Sequence, residues 1–431
     1  MQRRKTSIIT LTLLFTIIVS TSSVRRSEAY SSKETSKKTS LSLKINKAEV
    51  QKAIIYKKQK LALNDALSDY FKKAIKRGEI LGAGVSVVKG DSIIFSGGFG
   101  LRNLKKQDHV DANTVFRLGS LSKGFAGVLA DMEVSEGKLH WEDKVSDLVP
   151  EFALSSPALT SQITLSKILS HSSGVPYHSY TNLVESGMSL TDIAKRFKSL
   201  KLSARPGDIY SYQNAIFALS GTMVQKATGE TIQQALKEKI FTPLGMSTAS
   251  TDYESLMKSE DFATPYYQLA NGWRARKINQ KYYNAVAAGG VNASPSDMAK
   301  WMRFLLGHNP GVFNPMALSK VFAPMIEIKG YHHYYQQWEG HVASYYGLGW
   351  RIHKFADPAT GELSTMMHHG GAVSNYRNEI ALFPKEDMGV CILFNSPTQL
   401  AQRVVPELHE IIKKVMGSPL NGLSKGQLAM N

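Results

Sequence analysis

The sequence predicts an α+β fold: one antiparallel sheet built from N- and C-terminal strands and flanked by helices, with a mainly helical domain inserted between them. Three observations carry this expectation. A hairpin pattern stands early in the chain, where Gly84-Val85-Ser86-Val87-Val88 is followed by a Lys89-Gly90-Asp91 turn and Ser92-Ile93-Ile94-Phe95-Ser96. The far end is again rich in apolar strand patterns, at residues 347–353, 380–383 and 390–394. Between these ends, residues 115–310 read mainly as helices joined by loops containing glycine and proline.

The elements follow in order. Arg3-Arg4-Lys5 and the apolar run at residues 8–19 lead to Ser27-Glu28-Ala29, the pattern of a signal peptide over residues 1–29. The apolar stretch falls short of the roughly 20 residues of a membrane span. Arg25 and Arg26, just before the cut, keep an uncleaved N-terminal anchor, and with it a membrane association, as an alternative. Either way the expected location is exported, in the periplasm. Residues 30–60 are basic and rich in Ser and Lys, a solvated spacer turning helical towards its end. From there Leu61, Leu63, Ala66, Leu67, Tyr70, Phe71 and Ile75 recur at helical spacing until Gly78. Ser294-Pro295-Ser296-Asp297 has the order of a helix cap, with proline at the first helical position. Residues 399–416 form an amphipathic closing helix, and 418–431 a flexible tail. One folded domain is thus expected over 61–417. Its α/β part takes in 61–115 and 340–417, and its helical part 116–310.

Composition narrows the function. A chain of 431 residues that is 43% apolar can bury a sizeable core. The only cysteine, Cys391, lies in an apolar strand pattern and reads as core packing. The net charge of +17 invites a nucleic-acid reading, but residues 1–60 hold 14 Lys/Arg against 3 acids, which leaves only +6 for the remaining 371 residues. A nucleic-acid enzyme would carry its positive field on the folded body. Nucleic acid is therefore not an expected partner; a small molecule or peptide is.

The chemistry starts at Gly119-Ser120-Leu121-Ser122-Lys123, a loop entering the apolar helix that continues through Gly124-Phe125-Ala126-Gly127-Val128-Leu129. Positions i and i+3 of a helix share a face, so Lys123 stands beside the Ser120 hydroxyl. That hydroxyl is a weak nucleophile until a base takes its proton, and a lysine serves only if desolvation or a nearby cation lowers its pKa. The helix start also offers backbone N–H groups to an oxyanion. A second Ser-x-x-Lys, Ser255-Leu256-Met257-Lys258, lacks the small-residue turn and the apolar helix, and reads as surface. Four Tyr-x-Asn elements occur, at Tyr180, Tyr212, Tyr282 and Tyr376. Only Tyr212-Gln213-Asn214 follows a Pro-Gly turn and leads into an apolar helix. There a tyrosine could shuttle a proton and an asparagine orient an amide; the other three read as tyrosines that pack their rings. A third element, Met367-His368-His369-Gly370-Gly371, offers a glycine-lined strand edge to a substrate backbone. A histidine pair could instead suggest metal, but the other clusters, His332-His333 and His341, sit in an aromatic, polar stretch without acidic ligands at fitting spacing, and no metal or cofactor is expected. His171 and His178 read as loop histidines.

These three elements in this order resemble the serine β-lactamase and penicillin-binding-protein superfamily, closest to its class C β-lactamase-like branch. The likeness runs from about Leu63 to about Met416 and includes Ser170-His171-Ser172-Ser173-Gly174-Val175-Pro176, Thr242-Pro243-Leu244-Gly245-Met246 and Ala288-Gly289-Gly290-Val291. The resemblance implies a β-lactamase/transpeptidase-like fold. It implies Ser120 as the acylated nucleophile, Lys123 as its base partner and Tyr212 as proton carrier. Asn214, His368, Gly370 and Gly371 become substrate contacts, with the Ser120 and Gly371 N–H groups as oxyanion hole. The departure is His368-His369-Gly370 where the family has Lys-Thr-Gly: a largely neutral histidine replaces a fixed positive charge, with Arg377 nearby as a possible replacement. The expected function is an exported serine hydrolase acting on a β-lactam, a D-amino-acid peptide or an ester. The alternative is a non-catalytic relative that binds cell-wall peptides or a partner. A lipase reading of Gly422-Leu423-Ser424-Lys425-Gly426 fails, since no histidine follows it.

Overall fold

The computed structural model describes residues 47–417. The leader at 1–29, the first part of the spacer, the tail at 418–431 and the Gly422–426 motif lie outside the described residues.

Helix α1 (Lys47–Lys76) starts inside the stretch expected to be spacer. Its Lys-, Ala- and Gln-rich first turns carry good helix formers. Further along, Leu63, Leu67 and Phe71 of the predicted stripe are fully buried, joined by Ala74, whereas Leu61, also expected there, is exposed. Phe71 stacks on Phe99 with centroids 4.8 Å apart, and Phe71→Ala would cost about 3–5 kcal/mol.

The strands are β1 (Gly82–Lys89), β2 (Ser92–Asn103), β3 (Asp108–His109), β4 (Ile326–Glu327), β5 (His341–Tyr346), β6 (Arg351–Ala356), β7 (Leu363–Val373), β8 (Tyr376–Phe383) and β9 (Met388–Phe394). They form one antiparallel nine-stranded sheet in the order β3-β2-β1-β9-β8-β7-β6-β5-β4. The first and last parts of the body therefore meet at the β1–β9 pairing, as the sequence predicts. One expectation changes. Residues 347–353 are not a single strand: Gly349 takes φ +88°, a conformation open to glycine, and turns the chain between β5 and β6. Cys391 is buried in β9.

Between β3 and β4 the chain is mainly helical. Its central pieces are α2 (Ser122–Ser135) and α3 (Asn214–Thr228), both buried along most of their length, and α4 (Pro295–Leu305). The Ser294 cap forms as expected: its side chain accepts from the Asp297 N–H, and Pro295 fills the first turn. The helix α5 (Val404–Gly417) closes the body with Val404, Val405, Leu408 and Ile412 buried. Among the described residues no helix is long and apolar enough to cross a membrane.

Candidate active site

Ser120 sits in a single 3-10 turn, Gly119–Leu121, that runs straight into α2. The turn is held on both sides. Leu118 N–H donates to the Val291 carbonyl (2.9 Å), and Val291 N–H donates to Ser122 Oγ (3.0 Å). On the other side it touches β7 so closely that two glycines are required. A Cβ on Gly371 would lie 2.3 Å from the Leu118 carbonyl oxygen, and one on Gly119 would lie 2.9 Å from the Ala372 backbone. Gly119 also takes φ +56°. The glycine of the third motif thus lets the strand meet the nucleophile turn.

Lys123 is fully buried. Its Nζ lies 3.4 Å from Ser120 Oγ, 2.7 Å from Asn214 Oδ1 and 2.8 Å from the Ala288 carbonyl oxygen. Burial, with a smaller contribution from Arg351, holds its pKa well below the ordinary lysine value. Tyr212 comes from the loop before α3, and its hydroxyl donates to Ser120 Oγ at 2.8 Å. Burial pushes this phenol up to about 12. The two groups on the serine are shifted in opposite senses, which separates a base from an acid.

The structure brings Ser120, Lys123, Tyr212 and Asn214 together, but it gives Asn214 different contacts from those expected. Its Oδ1 accepts from Lys123 and its Nδ2 donates to the Tyr282 hydroxyl at 3.2 Å, so both ends of the amide are occupied. It holds Lys123 in place. Tyr282, read from sequence as a packing ring, is the group that fixes Asn214; its own Tyr-x-Asn pattern gave no signal of that contact. His171 lies under Tyr212 with ring centroids 4.2 Å apart, and its Nδ1 accepts from the Gln213 N–H. The Ser255–Lys258 copy of the motif lies on a short surface helix with both residues exposed, as predicted.

The third motif departs furthest from expectation. His368 is fully buried and both its ring nitrogens are engaged, Nε2 with Glu379 at 2.7 Å and Nδ1 with His353 Nε2 at 3.2 Å. No nitrogen is left to meet a substrate. Gly370 does not open a path for substrate either, because the space of its missing Cβ is filled by the Tyr334 hydroxyl (2.8 Å) and the Glu379 carboxylate (3.0 Å). It is His369, next along the strand, that joins the serine's surroundings. Its Nε2 bonds the Tyr346 hydroxyl at 2.9 Å, and its ring centroid lies 6.3 Å from that of Tyr212. Arg377, the suggested replacement charge, is paired with Glu379 at 2.5 Å.

A serine at a helix start, flanked by a buried lysine and a tyrosine and pressed against a strand of the sheet, defines the site of the serine β-lactamase and penicillin-binding-protein superfamily. The chain belongs to the Beta-lactamase family, whose model matches residues 67–410. It is similar to the unguisins hydrolase ungD' of Aspergillus campestris, with 26% identity over 345 residues covering 78% of this chain and 62% of that protein. It is also similar to Protein flp of Staphylococcus aureus, with 24% identity over 340 residues covering 78% and 64%. The chain thus spans less than two thirds of the length of these curated relatives. Its fold matches that of the octameric penicillin-binding protein homologue from Pyrococcus abyssi, with a TM-score of 0.69 and 23% identity over 80% of this chain and 77% of that one.

Proposed function

We propose that this protein is an exported serine hydrolase that forms an acyl-enzyme on Ser120 and then hydrolyses it, acting on a β-lactam, a D-amino-acid peptide or an ester. The observation that carries this reading is the Ser120 hydroxyl lying between Lys123 Nζ and the Tyr212 hydroxyl, with Lys123 buried. A neutral amine has two N–H groups and one lone pair. The two N–H groups go to Asn214 Oδ1 and the Ala288 carbonyl, which leaves the lone pair for the Ser120 proton. As that proton moves to Nζ, Oγ bonds the carbonyl carbon of the substrate. The Ser120 N–H, in the turn that runs into α2, receives the oxyanion. The scissile C–N or C–O bond then breaks, and the departing atom takes a proton from the Tyr212 hydroxyl, which is replenished from the Lys123 ammonium. Water attacks the acyl-enzyme by the same path in reverse. The name of the Aspergillus relative, a hydrolase, supports the hydrolytic class, and the signal-peptide pattern in the sequence of residues 1–29 supports export.

The test is pre-steady-state kinetics on a panel of p-nitrophenyl esters. A burst of p-nitrophenol stoichiometric with enzyme, lost in Ser120→Ala, is expected. Turnover of the panel undiminished in Ser120→Ala would sink the assignment of the nucleophile.

A further inference from the structure

Tyr212 aims its hydroxyl at Ser120, yet it stands on a loop rather than inside a helix or strand. A second loop holds it. Residues 170–178 run alongside residues 203–213. Ser203 N–H donates to the Gly174 carbonyl (2.9 Å), Ser211 Oγ to that of Val175 (2.7 Å) and Gln213 Nε2 to that of Pro176 (2.8 Å). Within this seam lies His171, fully buried and outside the three motifs.

His171 grips Tyr212 in three ways. Its carbonyl accepts from the Ser211 N–H at 2.8 Å and its Nδ1 from the Gln213 N–H at 3.2 Å, so the residues on either side of the tyrosine both end on one histidine. Its ring supports the ring of Tyr212, with centroids 4.2 Å apart. Its own backbone takes φ +57°, an uncommon left-handed conformation that persists where surrounding contacts impose it. Burial keeps the imidazole neutral, its pKa well below the ordinary value. Because Nδ1 accepts, the one ring proton stands on Nε2. That nitrogen is buried with no hydrogen-bond partner among the described residues, enclosed by the rings of Tyr210, Phe217 and Tyr346. An apolar side chain would fill this space without leaving a donor unpaired. What it would lose is the acceptor for Gln213.

We infer that His171 is a positioning residue for the reaction at Ser120: its ring and Nδ1 hold Tyr212 at the angle from which the hydroxyl delivers a proton to the leaving atom. His171 itself neither gains nor loses a proton. The inference rests on the acyl-serine reading of Ser120, in which Tyr212 is the acid. A nitrophenolate leaves without a proton and an alkoxide needs one, so comparing p-nitrophenyl butyrate with ethyl butyrate isolates that acid. His171→Ala is expected to lower kcat/KM for the ethyl ester about 10²-fold more than for the p-nitrophenyl ester, the effect of a displacement near 1 Å. His171→Asn tolerates the left-handed backbone and offers Oδ1 in place of Nδ1, and is expected to recover most of that difference. Equal losses on both esters in His171→Ala, as a general loss of folded protein would give, overturn the inference. So does a His171→Asn ratio no better than that of His171→Ala. A second readout needs no substrate. In nitrogen-15 histidine NMR of the full-length protein at pH 7, the His171 signals, assigned by their absence in His171→Asn, are expected to show a protonated Nε2 and a bare Nδ1. A proton on Nδ1 overturns the inference. A wild type whose Ser120 takes up no fluorophosphonate counts against the acyl-serine reading instead.

Discussion

Asn214→Asp is the sharpest test of how Lys123 is made into a base. The change is isosteric but places a carboxylate where the amide oxygen now lies, 2.7 Å from Lys123 Nζ in a buried setting. In wild type, burial favours the neutral amine because no anion stands beside it. An opposite charge at this distance raises a lysine pKa by about 1–3 units. Only the neutral amine can accept the Ser120 proton, so kcat/KM falls on the acid side of the Lys123 pKa. Raising that pKa moves the acid limb up by the same amount. At any pH below both values the variant is then about 10- to 1000-fold slower, and it regains rate as pH rises. The assay is the pH dependence of kcat/KM for an activated ester, alongside Asn214→Ala, which removes the acceptor and adds no charge. Superimposable acid limbs for wild type and Asn214→Asp would refute the view that Lys123 works as a neutral base held by Asn214.

Other outcomes follow from the same geometry. Tyr212→Phe deletes the hydroxyl that donates to Ser120 at 2.8 Å and is expected to lower kcat by about 10²- to 10⁴-fold in steady-state assays. Gly371→Val forces a Cβ to within 2.3 Å of the Leu118 carbonyl; denaturant unfolding should show a loss of about 1–3 kcal/mol, with ester turnover falling as the nucleophile turn shifts. Burial pushes Glu379 up to about 7 from its ordinary 4.5, so the folded state holds a proton that the unfolded state releases between those values, and this group's contribution to stability falls as pH rises through that window. Glu379→Gln should flatten that part of the stability profile, measured by denaturant unfolding at pH 5 and pH 7.

The parts of the site that are local in sequence were legible in it. Ser120 and Lys123 are three residues apart on one helix turn, and Tyr212-Gln213-Asn214 sits at another helix start, so short-range patterns place both. The joining of β1 to β9 followed from two strand-rich ends around a helical middle. What could not be read depends on register and long-range contact. His368 and His369 are adjacent on a strand, and a one-residue difference decides which face each meets; the register pairs His368 with Arg351 and commits its ring to Glu379 and His353. Tyr282 looked like the other packing tyrosines because its partner Asn214 is 68 residues away. Arg351 had no signal of its own: the tyrosines around it, among them Tyr212, Tyr335 and Tyr346, come from three separate segments. The helix α1 begins before its apolar periodicity does, because its first turns are charged and carry little apolar stripe.

The most direct test of the central claim is intact-protein mass spectrometry after incubation with a fluorophosphonate and with benzylpenicillin, followed by peptide mapping. One adduct per chain on the peptide containing Ser120, absent in Ser120→Ala, is the predicted result. An unmodified wild-type mass with both reagents, or an adduct that persists in Ser120→Ala, would contradict it.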